Sequence, residues 1–155
     1  MRIAVAVVGK PRDRALAAVI AEYETRAARY WPLEVHEVRE ETARAVPADL
    51  VRDREAERLL ARMPAAARVV ACDERGAGLS SESFAAWLRE RRDLAQDVAF
   101  AVGGAYGLGA AVRERAALVL SLAPWTLPHE LARLVLAEQL YRAGTIVRGE
   151  PYHKR

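Results

Sequence analysis

Cysteine occurs once in this sequence of 155 residues, as Cys72. A single thiol cannot build a disulfide framework or a thiolate metal cluster within the chain. Its place in the run Ala67 to Cys72 is that of a small core residue. Long apolar stretches are missing as well, and none approaches the roughly 18 residues of a membrane span. Met1 to Val8 is apolar but reaches Gly9-Lys10-Pro11 at once, without the basic start or cleavage site of a secretory leader. The expected location is the cytoplasm, with no membrane and no metal involved. Internal repeats, low-complexity segments and linkers are also lacking, so one domain is expected over residues 1–155.

Lysine is nearly absent, with two lysines against 22 arginines. Arginine offers a planar fork that binds phosphate bidentately and stacks on bases. The formal charge of +3 is small but uneven: residues 1–100 balance 17 basic against 17 acidic side chains, and residues 101–155 hold seven against four. The excess in the last third favours a polyanionic partner. Hydrophobic residues at 52% and charged residues at 29% describe a globular chain with its own core.

Arg2 to Val8 is a short β-branched run ending at a Gly-Lys-Pro breaker, which reads as a buried strand. Asp13 to Tyr30 follows with Leu16, Val19, Ile20 and Tyr23 at helical spacing. Leu33 to Val38 alternates apolar and polar residues as a half-exposed strand does, and Pro47 can open a helix running to Met63. Arg68 to Cys72 reads as a third strand. Ser80 and Ser81 can cap a helix to about Leu94, Asp97 to Val102 is the next strand, and Leu118 to Leu122 is another apolar stretch. The last helix is expected over Pro128 to Ala143. Strands alternating with helices at this spacing predict an α/β domain with a mostly parallel sheet and helices on both faces.

In such sheets ligands bind beyond the carboxyl ends of the strands. Three ends stand out: Asp73 to Gly78, Gly103 to Gly109, and Leu122 to Pro128. The middle one, GGAYGLG, packs four glycines into seven residues, which lets a ligand approach the backbone closely. Side-chain atoms added at Gly104 would then fill space that a ligand needs. The loop matches neither the P-loop pattern nor the dinucleotide fingerprint, which disfavours a nucleotide-binding hydrolase.

GGAYGLG after a hydrophobic strand, then LSLAPWTLPHELARLVLAEQLYRA, then a terminal PYHKR, resembles the ribosomal RNA large subunit methyltransferase H family, and the similarity extends to VVACDERG and the opening strand. The resemblance implies a SPOUT fold whose C-terminal segment, about residues 68–155, makes a deep trefoil knot around the cofactor. It implies S-adenosylmethionine as methyl donor and N3 of a pseudouridine in 23S ribosomal RNA as target (position 1915 in the usual ribosomal numbering), in the large subunit or the whole ribosome. It also implies a homodimer in which the second subunit completes each site. Carried over by motif, the cofactor would be held by Cys72, Asp73, Gly103, Gly104 and the segment Leu122, Ala123, Pro124, Trp125, Thr126 and Leu127.

Methyl transfer to that nitrogen needs alignment, exclusion of water and removal of one proton. His129, at the start of the last helix, and Tyr152 with His153, near the terminus, are the candidates for catalysis. Lys154 and Arg155 would supply charge for phosphate, so the tail from Pro151 to Arg155 is expected to be an ordered part of the site. Arg133 and Arg142 lie nine positions apart, on opposite sides of a helix at about 100° per residue, so one is assigned to RNA or cofactor and the other to RNA or a subunit interface. Leu131, Leu134, Val135, Leu140 and Tyr141 spread wide enough around the last helix to suggest that more than one of its faces is buried, with Leu134 and Leu140 in the dimer contact. His36, among acidic neighbours, reads as part of a solvated face. Two other readings remain: a relative of the same fold acting on transfer RNA, against which PYHKR argues, and a non-catalytic RNA-binding module, which would bind no cofactor.

Overall fold

The computed structural model describes residues 1–42 and 44–152. Ten elements follow one another: β1 (Ile3–Val8), α1 (Arg14–Ala27), β2 (Leu33–Val38), α2 (Ala48–Leu60), β3 (Arg68–Gly78), α3 (Ser81–Asp93), β4 (Val98–Val102), α4 (Ala110–Arg115), β5 (Leu118–Ser121) and α5 (His129–Arg148). The strands form one sheet in the order β2-β1-β4-β3-β5, and every strand pair in it is parallel.

Both faces of the sheet are covered, which is why β1 and β4 are apolar at every position. Ile3, Val5 and Val7 of β1 and Val98, Phe100 and Val102 of β4 pack toward α3 and α5, among Phe84, Leu88, Leu136 and Leu140. The alternate residues Ala4, Ala6, Val8, Ala99 and Ala101 face α2 and α4 through Ala56, Leu59 and Val112. The bulky side is tightened by an edge-on contact of Phe84 with Phe100, their ring centres 6.0 Å apart. Trp31, buried at the end of α1, donates its indole N–H to the carbonyl of Leu140 at 2.8 Å.

The helix starts follow capping chemistry. Asp13 accepts the amide of Leu16 at 2.7 Å, and the Ser80 hydroxyl accepts that of Ser83 at 3.1 Å. Prolines 47 and 128 precede α2 and α5. α5 runs past the expected end at Ala143, because Gly144 is a packing position and not a stop: a Cβ there would lie 2.4 Å from the ring of Tyr30. The helix ends instead at Gly149, in the left-handed region at φ 68°, with Gly149 and Glu150 donating to Ile146 and Thr145.

A second departure concerns β3, expected to stop at Cys72. It continues to Gly78, and its register on β5 jumps so that Cys72 and Ala77 both pair with Leu120. The residues between them, Asp73 to Gly76, bulge out of the ladder. Gly76 makes this feasible, since a Cβ there would come within 2.6 Å of the Val119 backbone.

Candidate active site

The bulge of β3, the glycine loop after β4 and the segment after β5 converge at the carboxyl edge of the sheet. They enclose a cavity of about 410 Å³, within the usual range of roughly 300–1,000 Å³ for small-molecule sites. Cys72, Asp73, Gly103, Gly104, Leu122, Ala123, Trp125, Thr126 and Leu127 all line it, and so does His129. Pro124 is the one member of the 122–127 segment outside the lining.

Local chemistry fixes these segments. The Asp73 carboxylate accepts the amide of Arg75 at 2.9 Å and faces the Arg113 guanidinium at 3.3 Å. Arg113 also donates to the Leu108 carbonyl at 2.6 Å, so one side chain of α4 ties the end of β3 to the glycine loop. Thr126 donates its hydroxyl to the Glu74 carboxylate, linking the β3 bulge to the segment after β5, and Ser121 donates to the carbonyl of Ala123 at 2.7 Å. Burial pushes the Cys72 thiol up to about 12. It is therefore neutral at physiological pH, a wall of the cavity and not a nucleophile.

The glycine loop turns back on itself, with the amide of Gly107 donating to the Gly104 carbonyl at 3.0 Å. A Cβ at Gly103 would sit 2.7 Å from the backbone of Gly107. At Gly104 a Cβ would meet Glu55 Oε2 at 2.9 Å and Val8 Cγ1 at 3.0 Å. This corrects the expectation that side-chain atoms at Gly104 would fill ligand space: that position faces the protein, and its neighbours there are β1 and α2. The open position in the loop is Gly107, at φ +83° with nothing near its missing Cβ.

A family model described as "Predicted SPOUT methyltransferase" matches residues 1–153. The chain belongs to the SPOUT methyltransferase family. The match covers every element that lines the cavity. Three curated relatives are each named "Ribosomal RNA large subunit methyltransferase H". That of Gemmatimonas aurantiaca is 65% identical over 154 residues, 99% of this chain and 100% of its own. That of Anaeromyxobacter is 49% identical over 154 residues, with the same coverage. That of Syntrophotalea carbinolica is 43% identical over 156 residues, covering all of both chains.

In this methyltransferase the remaining candidates separate along α5. His129 opens the helix at the cavity. Arg133, one turn on, is buried at 7% exposure, with Nε and Nη2 bonded to Glu24 at 2.7 and 3.2 Å and Nη1 bonded to Glu37 at 3.1 Å. Its fork is thus occupied in joining α5 to α1 and β2. Arg142, near the far end, bonds Glu138 through Nε at 3.0 Å and lies 4.9 Å over the ring of Tyr152. Tyr152 donates to Glu138 at 3.1 Å and packs on Tyr141 with ring centres 4.5 Å apart. Burial, with hydrogen bonding to Tyr23 and the nearby Glu138 carboxylate, raises its hydroxyl well above the ordinary tyrosine value.

His153, Lys154 and Arg155 lie outside the described residues. Among those described, no group of three or more histidine, cysteine or carboxylate side chains could hold a metal ion, and no helix is long and apolar enough to cross a membrane. Leu140, expected in a dimer contact, is instead at 1% exposure inside the chain's own core. Sequence reasoning missed Arg52, Glu74, Arg75 and Arg113 as lining residues. Arg52 and Arg113 sit on polar helix faces that look merely solvated, whereas Glu74 and Arg75 belonged to a strand end already singled out.

Proposed function

We propose that this methyltransferase takes its methyl group from S-adenosylmethionine and transfers it to N3 of a pseudouridine in 23S ribosomal RNA, in the large subunit or the assembled ribosome, acting in the cytoplasm as a knotted homodimer. One observation carries the reading: the three strand-end segments named by the family motifs line a single cavity of suitable size. The names of the relatives, which match over their full length, support the ribosomal substrate.

The lining fits that donor. Backbone groups of the glycine loop and of the segment after β5 can bond a heteroaromatic ring edge, and Asp73 and Glu74 bring carboxylates suited to a cationic ligand. Cys72, Asp73, Gly103, Gly104, Leu122, Ala123, Thr126 and Leu127 would hold it, with Trp125 contributing its backbone alone. When bound, S-adenosylmethionine supplies a methyl group on an electrophilic sulfonium. The tasks left to the chain are to align the target nitrogen, keep water out and accept a proton. His129, which lines the cavity, would accept that proton.

Tyr152 follows a helix of 20 residues that starts at His129. The Tyr152 hydroxyl is bonded to Glu138, nine residues along that helix from His129, a rise of about 14 Å, so in one copy it stands outside the cavity that His129 lines. This separation supports a homodimer in which Tyr152 and His153 of one copy serve the site of the other. Arg142, Lys154 and Arg155 would come with them toward RNA phosphate, while Arg133 holds α5 in place. Removing residues 151–155 tests the arrangement: methylation of ribosomes is expected to be nearly lost, with S-adenosylmethionine affinity retained by calorimetry. Full activity of the truncated chain would overturn it.

A further inference from the structure

The rim of the cavity holds side chains that donor binding does not use. Trp125 is 76% exposed, the most exposed large hydrophobic residue among those described. The segment that carries it is pinned on both sides, by Ser121 to Ala123 before it and by Thr126 to Glu74 after it. The other two tryptophans serve packing: Trp31 is buried with its N–H bonded, and Trp87 packs against the core beneath Arg91. Tyr106, 46% exposed on the glycine loop, lines the same cavity. Among the described residues, only these two of the exposed large hydrophobics belong to the cavity lining. Both are aromatic.

The charges around them are selective. Asp73 is matched by Arg113, and Glu74 is engaged by Thr126. Arg75, in the β3 bulge, donates its backbone amide to Asp73. Its guanidinium has no hydrogen bond or ion pair with any described residue. A fixed exposed indole, a second aromatic ring and an uncompensated arginine at one mouth make the chemistry that recognises an unstacked base beside its phosphate.

We propose that the Trp125 side chain, with Tyr106 and Arg75, is a stacking platform for a base of the RNA substrate, so that the segment after β5 faces the donor with its backbone and the RNA with its indole. This rests on the ribosomal RNA reading. Stacking of a base on an aromatic side chain is worth about 1–3 kcal/mol by alanine substitution. Trp125→Ala should therefore raise KM for large subunits lacking the modification by roughly 5- to 150-fold, with little change in kcat. Trp125→Phe should recover most of the loss, and Arg75→Ala should raise KM in a way that weakens as salt increases.

The experiment measures methyl transfer to such subunits for wild type, Trp125→Ala, Trp125→Phe and Arg75→Ala, beside calorimetry of S-adenosylmethionine with each protein. A wild type that methylates no ribosomal substrate sinks the substrate reading and the platform with it. An active wild type whose Trp125→Ala variant keeps its KM overturns the platform alone. Loss of donor affinity in Trp125→Ala assigns the indole to the donor and overturns it as well. A raised KM with unchanged donor affinity and rescue by phenylalanine is the expected result.

Discussion

Glu55→Gln is expected to stabilise the protein at neutral pH and to remove part of its pH dependence. Glu55 lies on α2 under the glycine loop and is 3% exposed. Its Oε1 accepts the amide of Glu41 at 3.0 Å, while Oε2, beside Gly104, has no partner. Burial is the main cause that raises its carboxyl above the ordinary 4.5. The Glu41 amide opposes the rise, the Glu40 carboxylate adds to it, Arg58 opposes it and the Glu41 carboxylate adds to it. A raised folded-state value means that the folded chain holds this proton more tightly than the unfolded one. The stabilisation is fully present below the unfolded value and is lost as pH rises through the folded value. Each unit by which the folded value exceeds 4.5 thus costs ~1.4 kcal/mol at higher pH, or about 3–6 °C in Tm for a chain of this size. Glutamine keeps the shape and the acceptor for Glu41 but carries no charge. Thermal and urea unfolding of both proteins from about pH 5 to pH 9 should give curves that converge at the acid end and diverge toward the alkaline end, with Glu55→Gln the more stable. A difference independent of pH, or a less stable variant, would refute the reasoning.

Gly104→Val should destabilise the fold by about 1–3 kcal/mol through overpacking against Glu55 and Val8, so that any loss of donor affinity in calorimetry accompanies a lowered melting temperature. Arg133→Met removes the one cation shared by Glu24 and Glu37. Because those carboxylates are partly solvated, the expected loss falls at the lower end of ~3–5 kcal/mol, measured by urea unfolding. Leu140→Glu places a charge in the core and should prevent folding altogether, whereas Leu134→Glu, at a half-buried position of α5, should weaken the proposed homodimer and leave a folded monomer in light scattering.

The sheet was legible because β1 and β4 are apolar at every position and the helices between strands keep a 3.6-residue stripe. The continuation of β3 was not, since Asp73-Glu74-Arg75 has no buried-strand pattern; only Gly76 signals the close approach that lets the strand bulge and resume. The cavity segments could be named from the strand ends, but their struts could not. Glu55 sits in the charged run VRDREAER and looks solvated. Yet Val51, Glu55 and Leu59 recur every fourth residue and are all buried, a spacing that puts the glutamate on the apolar stripe. For α5, composition alone could not divide its apolar residues between the core and a partner: Leu140 went to the core, and Leu131 is exposed.

Methyl transfer from tritiated S-adenosylmethionine to ribosomes lacking the modification, with the labelled nucleotide mapped by mass spectrometry, tests the proposed activity directly. The predicted result is one methyl group at N3 of a single pseudouridine in 23S ribosomal RNA. Label in transfer RNA, or no transfer by a folded protein, would contradict it.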